Sequence, residues 1–178
     1  MSVRQSAIAL LFDWRAPDRG QDSLRHAVLS FLHAREDACR RACVPGHITA
    51  SVAVLDHTGR RVLLTLHPRL GRWVQLGGHC EDTDTDITGA AMREATEESG
   101  ITDLRLKPGL VAVHAHPITC SLGAPTRHLD LQFAAHAPPG AEITLSHESV
   151  DLRWWPVDAL PEGSDAALAY LVARATSS

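Results

Sequence analysis

Between Asp22 and Arg41, apolar Leu24, Val28, Phe31 and Leu32 recur at three- and four-residue spacing among polar positions. That period predicts an amphipathic helix. Asp22 or Ser23 is placed to cap it, and Val44-Pro45-Gly46 to stop it. The period then changes from helical to alternating. Ile48, Ala50, Val52 and Val54 fall on one side of a strand predicted over His47 to Asp56. The turn His57-Thr58-Gly59-Arg60 leads to a second strand over Arg61 to Leu66, and Trp73 to Leu76 is a short third. Gly77 to Thr85 reads as a polar loop, and Asp86 to Gly100 as a helix closed by its C-terminal glycine. Further strands are predicted over Gly109 to Ile118 and Arg127 to Ala137, the latter with Leu129, Leu131, Phe133 and Ala135 on one face. Val150 to Trp155 reads as a last strand and Ser164 to Ala175 as a terminal helix. This order predicts an α/β or α+β sandwich over residues 46–178, with residues 1–45 as an N-terminal helical extension packed on it.

Composition narrows the function classes. The 178 residues are 44% hydrophobic and 21% charged, which suits one globular domain and excludes a disordered or collagen-like chain. A formal net charge of −4 argues against a binder of nucleic acid polymers. No apolar run approaches the roughly 18 residues that would span a membrane, and the patch Ala7 to Phe12 lacks a signal-peptide cleavage site. Four cysteines is low usage, so a reduced, cytoplasmic setting is expected.

The chemistry concentrates in Gly77 to Ile101, which carries Glu81, Asp82, Asp84, Asp86, Glu94, Glu97 and Glu98 against one base, Arg93. Glu94, Glu97 and Glu98 project from a helix within an arc of about 100°. Like charges at that spacing each cost roughly 0.2–0.5 kcal/mol. A bound cation would offset that repulsion, and an all-oxygen set favours a hard ion, Mg²⁺ or Mn²⁺. A solvated acidic helix face accounts for the spacing equally well.

Sequence order separates the two. Arg93-Glu94-Ala95-Thr96-Glu97-Glu98-Ser99-Gly100-Ile101, with Gly78 as the opening glycine and Gly77 before it, resembles the Nudix box. The preceding RVLLTLHPRLGRWVQLGGH is similar to the strand, loop and tryptophan that lead into that box. One departure stands out. With five residues between, the acid that follows Gly78 is Asp84, where the family has glutamate, and eight residues rather than seven separate it from Arg93. Either Asp84 or Glu81 takes the place of the usual acid and pairs with Arg93.

The resemblance implies the Nudix-type α/β/α sandwich around a mixed sheet. It implies Mg²⁺-dependent hydrolysis of a diphosphate linkage in a small-molecule nucleoside diphosphate derivative or similar nucleotide. Glu94 and Glu98 would be the principal metal ligands, Glu97 an assisting one, and the Gly77 carbonyl a further donor. Arg93 would complete the box. The general base is open between Glu97, Glu98 and Glu148, the last because bases in this family often come from a later loop. Two other readings remain. One is a Nudix-fold nucleotide sensor without catalysis. The other, suggested by Cys80, is the isomerase branch that acts on isopentenyl diphosphate.

Outside the box, Arg69, Arg72 and Trp73 are candidates for phosphate and base contacts, alongside His67. His114 and His116 share a strand face, as do His128 and Asp130, and His79 lies in the box loop. These histidines read as solvated or satisfied core groups. Cys39, Cys43 and His47 are spaced by four, but three ligands fall short of a structural zinc site, and buried thiols are the simpler reading. The extension could cap a cleft, mediate a homodimer or cover a sheet edge.

Overall fold

The computed structural model describes residues 1–119, 123, 125–146 and 149–177. In chain order the elements are α1 (Val3–Asp13), α2 (Arg19–Ala34), β1 (His47–Leu55), β2 (Arg61–His67), β3 (Arg72–Val74), β4 (Leu76–His79), α3 (Ile87–Ser99), β5 (Arg105–Leu106), β6 (Ala112–Thr119), β7 (Pro125–His136), β8 (Asp151–Pro156) and α4 (Ala166–Thr176). No helix among the described residues is long and apolar enough to cross a membrane.

The sheet is mixed and built around β1, all nine residues of which are buried. One edge of β1 runs parallel to β7, from His47 opposite His128 to Leu55 opposite His136. Its other edge is shared by two antiparallel partners, β4 along Thr49 to Val52 and β2 at Val54 and Leu55. β2 continues to β3 and β8, while β7 carries β6 and the short β5.

Helices cover both faces. The predicted rows Ile48, Ala50, Val52, Val54 and Leu131, Phe133, Ala135 bury themselves against α1, α2 and α3 through Ala7, Leu11, Leu32, Ala90, Ala91 and Ala95. On the opposite face Ala53, Leu55, Val62, Leu64 and Ala134 pack on Leu168, Leu171, Val172 and Ala175 of α4. This is an α/β/α sandwich, as the sequence predicts.

Two expectations change, and one is sharpened. The helix predicted through Arg41 ends at Ala34, where the Arg4 side chain donates to the carbonyls of Leu32 and Arg35 (2.8 and 3.0 Å). Arg35 then turns to bond Asp37, so the chain leaves the helical path before Pro45 is reached. Gly77, Gly78 and His79, predicted as loop, are strand, because β1 supplies their pairing partners Ser51, Ala50 and Thr49. The N-terminal apolar patch is itself a helix, α1, closed by a capping box between Ser2 and Gln5.

The extension docks at two points that matter for the site. Ser6 of α1 accepts a hydrogen bond from the Ile87 N–H at the start of α3 (2.8 Å). Gln21 of α2 bonds both backbone groups of Val113 in β6, accepting at 2.7 Å and donating at 3.0 Å. Its amide thus stands in for a neighbouring strand on that edge.

Candidate active site

α3 starts at Asp86, whose carboxylate accepts from the Gly89 N–H (2.8 Å), and ends at Gly100 in the left-handed region at φ 74°. Between these caps the helix presents Glu94, Glu97 and Glu98 to the strand β4 and the loop that follows it. Two consecutive glycines receive two of the three. The Gly77 N–H donates to Glu98 Oε2 at 2.8 Å, and Glu98 is only 9% exposed. A side chain at Gly78 would run into the Glu94 carboxylate at 2.6–2.8 Å. Gly77 itself has φ 146°, and a Cβ there would fall on Ser51. Only glycine fits at Gly77, and a side chain at Gly78 would displace the Glu94 carboxylate from its seat.

Arg93 joins the helix to the loop. Its Nε and Nη2 donate to the two Asp84 oxygens at 3.0 and 3.1 Å, a bidentate pair. Nη2 also donates to the His79 carbonyl (2.9 Å), and Nη1 to Glu94 (3.1 Å) and Glu97 (3.0 Å). Glu81 stays 3.9 Å away. Of the two acids left open by the sequence, Asp84 is thus the bidentate partner of Arg93. Asp84 is buried, which pushes its pKa up, but the hydrogen bonds from Arg93 and the Glu81 N–H hold it below the usual carboxylate range. Arg93 is raised above its ordinary value, first by Asp84 and then by the charge of Glu94, against burial.

The box carboxylates are held apart: Glu98 at Gly77, Glu94 at Gly78, and Glu97 out on Arg93. This suits an ion such as Mg²⁺, which takes one or two carboxylates and fills its shell with water and phosphate oxygens. One guanidinium hydrogen-bonds three acids here, so the local charge also fits a divalent cation.

Beside Gly77, the face of β1 and β7 turned away from α3 carries a buried polar floor. Asp130 accepts from Thr49 Oγ1 (2.9 Å), Ser51 Oγ (2.6 Å) and Gln132 Nε2 (3.0 Å). The sheet register sets His114 beside Asp130 and His116 beside His128, so both histidine pairs share this face. Sequence reasoning missed Thr49, Ser51 and Gln132. Their signal was polar residues at every second position of strands that are otherwise apolar.

At one end of the floor, His47, His79 and His128 meet with ring centroids 4.9–5.0 Å apart. Burial lowers all three pKa values, to about 4 for His79 and about 3 for His128, with neighbouring positive charge adding to the effect. The Nε2 atoms of His47 and His128 are buried without a hydrogen-bond partner. Such orphaned polar atoms each cost on the order of 1–3 kcal/mol. His128 is therefore not the satisfied core group that the sequence suggests.

The other predicted residues lie apart. Arg72 pairs with Asp165 at 3.0 Å, and both influence the pKa of His116, so Arg72 stands at the rim of the floor. Arg69 is exposed on the loop after β2, where its N–H donates to His67 Nδ1 (3.2 Å). Trp73 packs edge-on against Trp155, centroids 5.3 Å apart, with Arg153 over its ring. Glu148 lies outside the described residues. Cys39, Cys43 and Cys80 are free thiols. Cys43 meets His47 only through its backbone carbonyl. Contact with the Cys39 thiol and burial both push the Cys80 thiol far above its ordinary pKa.

The NUDIX domain model matches residues 45–175. No curated protein matches the chain. Among solved structures, an Ap4A hydrolase of C. elegans in a binary complex is 22% identical with a TM-score of 0.56, over 71% of this chain and 93% of that one. A NUDIX-family hydrolase of Clostridium perfringens is 24% identical with a TM-score of 0.54, over 73% and 95%. The dihydroneopterin triphosphate pyrophosphohydrolase of E. coli is 20% identical with a TM-score of 0.55, over 70% and 91%. At these identities the likeness is one of fold.

Proposed function

Because this chain belongs to the NUDIX domain family, and is thereby a hydrolase acting on diphosphate linkages, we propose that it cleaves a nucleoside diphosphate derivative or a similar small diphosphate, using Mg²⁺ or Mn²⁺. The observation that carries this reading is the seating of Glu94 and Glu98 on consecutive glycines, with Arg93 bracing both helix and loop. Glu94, Glu98 and the Gly77 carbonyl would hold the ion, with Glu97 assisting. A bound divalent cation would neutralise diphosphate charge and stabilise the departing oxygen.

The chain's own groups do the rest. Arg93 fixes Glu94 and ties the loop to α3, so the carboxylates keep their spacing as charge moves. Glu97, with a side chain 60% exposed, is accessible to the attacking water, and we assign it the proton-accepting role in preference to Glu98, which is committed to Gly77. Arg72 would supply positive charge toward the substrate phosphates from its pair with Asp165, whereas Arg69 and Trp73 lie apart from the carboxylates and take no role in this reading. The retained Asp84–Arg93 pair supports catalysis over a sensor, because the departure in the box leaves its geometry whole.

The test is phosphate-fragment release across nucleoside triphosphates, nucleotide sugars, dinucleoside polyphosphates, NADH, ADP-ribose and coenzyme A, run with Mg²⁺, with chelator, and with Glu98→Gln. One class should be cleaved, and both controls should abolish it. Silence across the panel, with metal-dependent binding of one member, would replace the hydrolase by the sensor.

A further inference from the structure

We propose that His47, His79 and His128 form a second metal site, of nitrogen ligands, that takes a late first-row divalent ion such as Zn²⁺. The proposal concerns a site separate from the carboxylates of the box. It rests on three observations.

The first is convergence. One nitrogen from each ring lies within 4.8 Å of the others, and no other group of histidine, cysteine or carboxylate side chains among the described residues closes as tightly. Tetrahedral nitrogens at about 2.0–2.1 Å from zinc stand about 3.3 Å apart, so the rings need to close by at most roughly 1.5 Å on binding. Backbone register brings the trio together. His47 and His128 are direct partners across the parallel β1·β7 pair, and His79 enters from β4 opposite Thr49. Three strands from distant parts of the chain therefore supply one ligand each.

The second is the state of the nitrogens. His47 is fully buried, and its Nδ1–H donates to the Cys43 carbonyl (3.4 Å). That bond fixes the tautomer and leaves the Nε2 lone pair aimed inward, the arrangement that metal-binding histidines use. Nε2 of His47 and Nε2 of His128 have no other partner. On His79, Nδ1 accepts from the exposed Arg41 guanidinium (2.9 Å). Arg41 is thus the group an arriving ion must displace, and it can swing into solvent.

The third is the set of surroundings. Imidazole nitrogens prefer zinc and its neighbours in the first row to Mg²⁺, whereas the box offers oxygen. A fourth position remains for water or for His116, whose ring lies 5.2 Å from that of His128. The site also touches the box loop directly. His79 follows Gly78, and its carbonyl accepts from Arg93. An ion on the trio would therefore pin β4 and the loop to β1 and β7, independently of whatever the carboxylates hold.

The experiment uses the full chain, stripped with chelator and titrated with Zn²⁺ by calorimetry. Metal content after dialysis and the visible spectrum of the Co²⁺ form are read in parallel. We expect one Zn²⁺ per chain with micromolar or tighter affinity, unaffected by excess Mg²⁺, and a tetrahedral Co²⁺ spectrum. His79→Gln and His128→Asn should each weaken binding at least tenfold and abolish that spectrum. Arg41→Gln should tighten binding several-fold. His47→Ala removes a fully buried ring and can unfold the chain, so the outcome is read from the two more exposed positions. Glu94→Gln and Glu98→Gln should leave the Zn²⁺ stoichiometry unchanged. Absence of Zn²⁺ binding would overturn the proposal. So would binding that survives His79→Gln and His128→Asn but is lost in the glutamate variants. None of these readouts depends on turnover, so failure here and failure of the hydrolase reading are distinguishable.

Discussion

At the scale of single residues, Arg93 and Asp84 decide whether the box keeps its shape. Their bidentate pair is mostly enclosed, with Asp84 only 5% exposed at its side chain. Asp84→Asn leaves one guanidinium face without its charge partner. We expect it to lower the stability measured in urea by about 1–3 kcal/mol and to reduce turnover, because Arg93 can then rotate away from Glu94. A variant that unfolds and turns over like the wild type would show that the pair does not brace the box. Asp56 gives a pH prediction. Burial pushes its pKa up, but bonds from the Arg61 and Arg60 N–H groups, Thr58 and the Arg61 side chain bring it to about 2, below the ordinary carboxylate value. A depressed folded pKa contributes stability that is complete above the unfolded value and is lost as pH falls through the folded one. The wild type should therefore lose on the order of 2 kcal/mol between about pH 4.5 and pH 2 from this group. Denaturation midpoints across that window should fall less steeply in Asp56→Asn.

At the scale of elements, β4 shows how little room the site has. Gly77 combines φ 146° with direct approach to Ser51. Gly77→Ala must push β4 off β1 and break the N–H bond to Glu98. We expect a loss of several kcal/mol, in line with strained-backbone and overpacking substitutions, with activity lost before the fold. Activity in Gly77→Ala equal to wild type would refute this. Gln21 makes the opposite point about an edge. Gln21→Ala strips both bonds from Val113 and should cost about 1–3 kcal/mol. It should also raise light scattering, because β6 then offers open backbone groups to another copy.

The elements themselves were largely legible. Alternation in HITASVAVL and in LDLQFAA named the buried rows of β1 and β7, and the acids of REATEES marked the box helix. What escaped was set by tertiary partners. Nothing local says that Gly77 to His79 pair with β1, or that Arg4 closes α2 well short of Arg41. The histidine trio escaped for the same reason. His47, His79 and His128 are unremarkable alone, and only the register of three strands makes them neighbours.

At the scale of the whole molecule, two helical layers grip one curled sheet, and the box helix belongs to the layer that contains the extension. Stability and metal binding should therefore be linked. An ion that binds only the folded state stabilises it by about 2.7 kcal/mol at a hundredfold excess over Kd. Thermal midpoints should rise with Mg²⁺ or Mn²⁺ and fall with chelator, and Glu98→Gln should flatten the Mg²⁺ response. An unchanged midpoint in the wild type would argue that the carboxylates hold no ion in the free protein.

The parallel pairing of β1 with β7 has a consequence for biogenesis. During synthesis β1 emerges early, yet the strand that completes its edge follows some eighty residues later. Until then, a strand that is wholly buried in the fold waits with that edge of its backbone unpaired. Parallel contacts so distant along the chain form late and slowly. A nascent chain halted near residue 120 should be retained by chaperones at the ribosome, and refolding from urea should end in one slow phase that closes β7 onto β1.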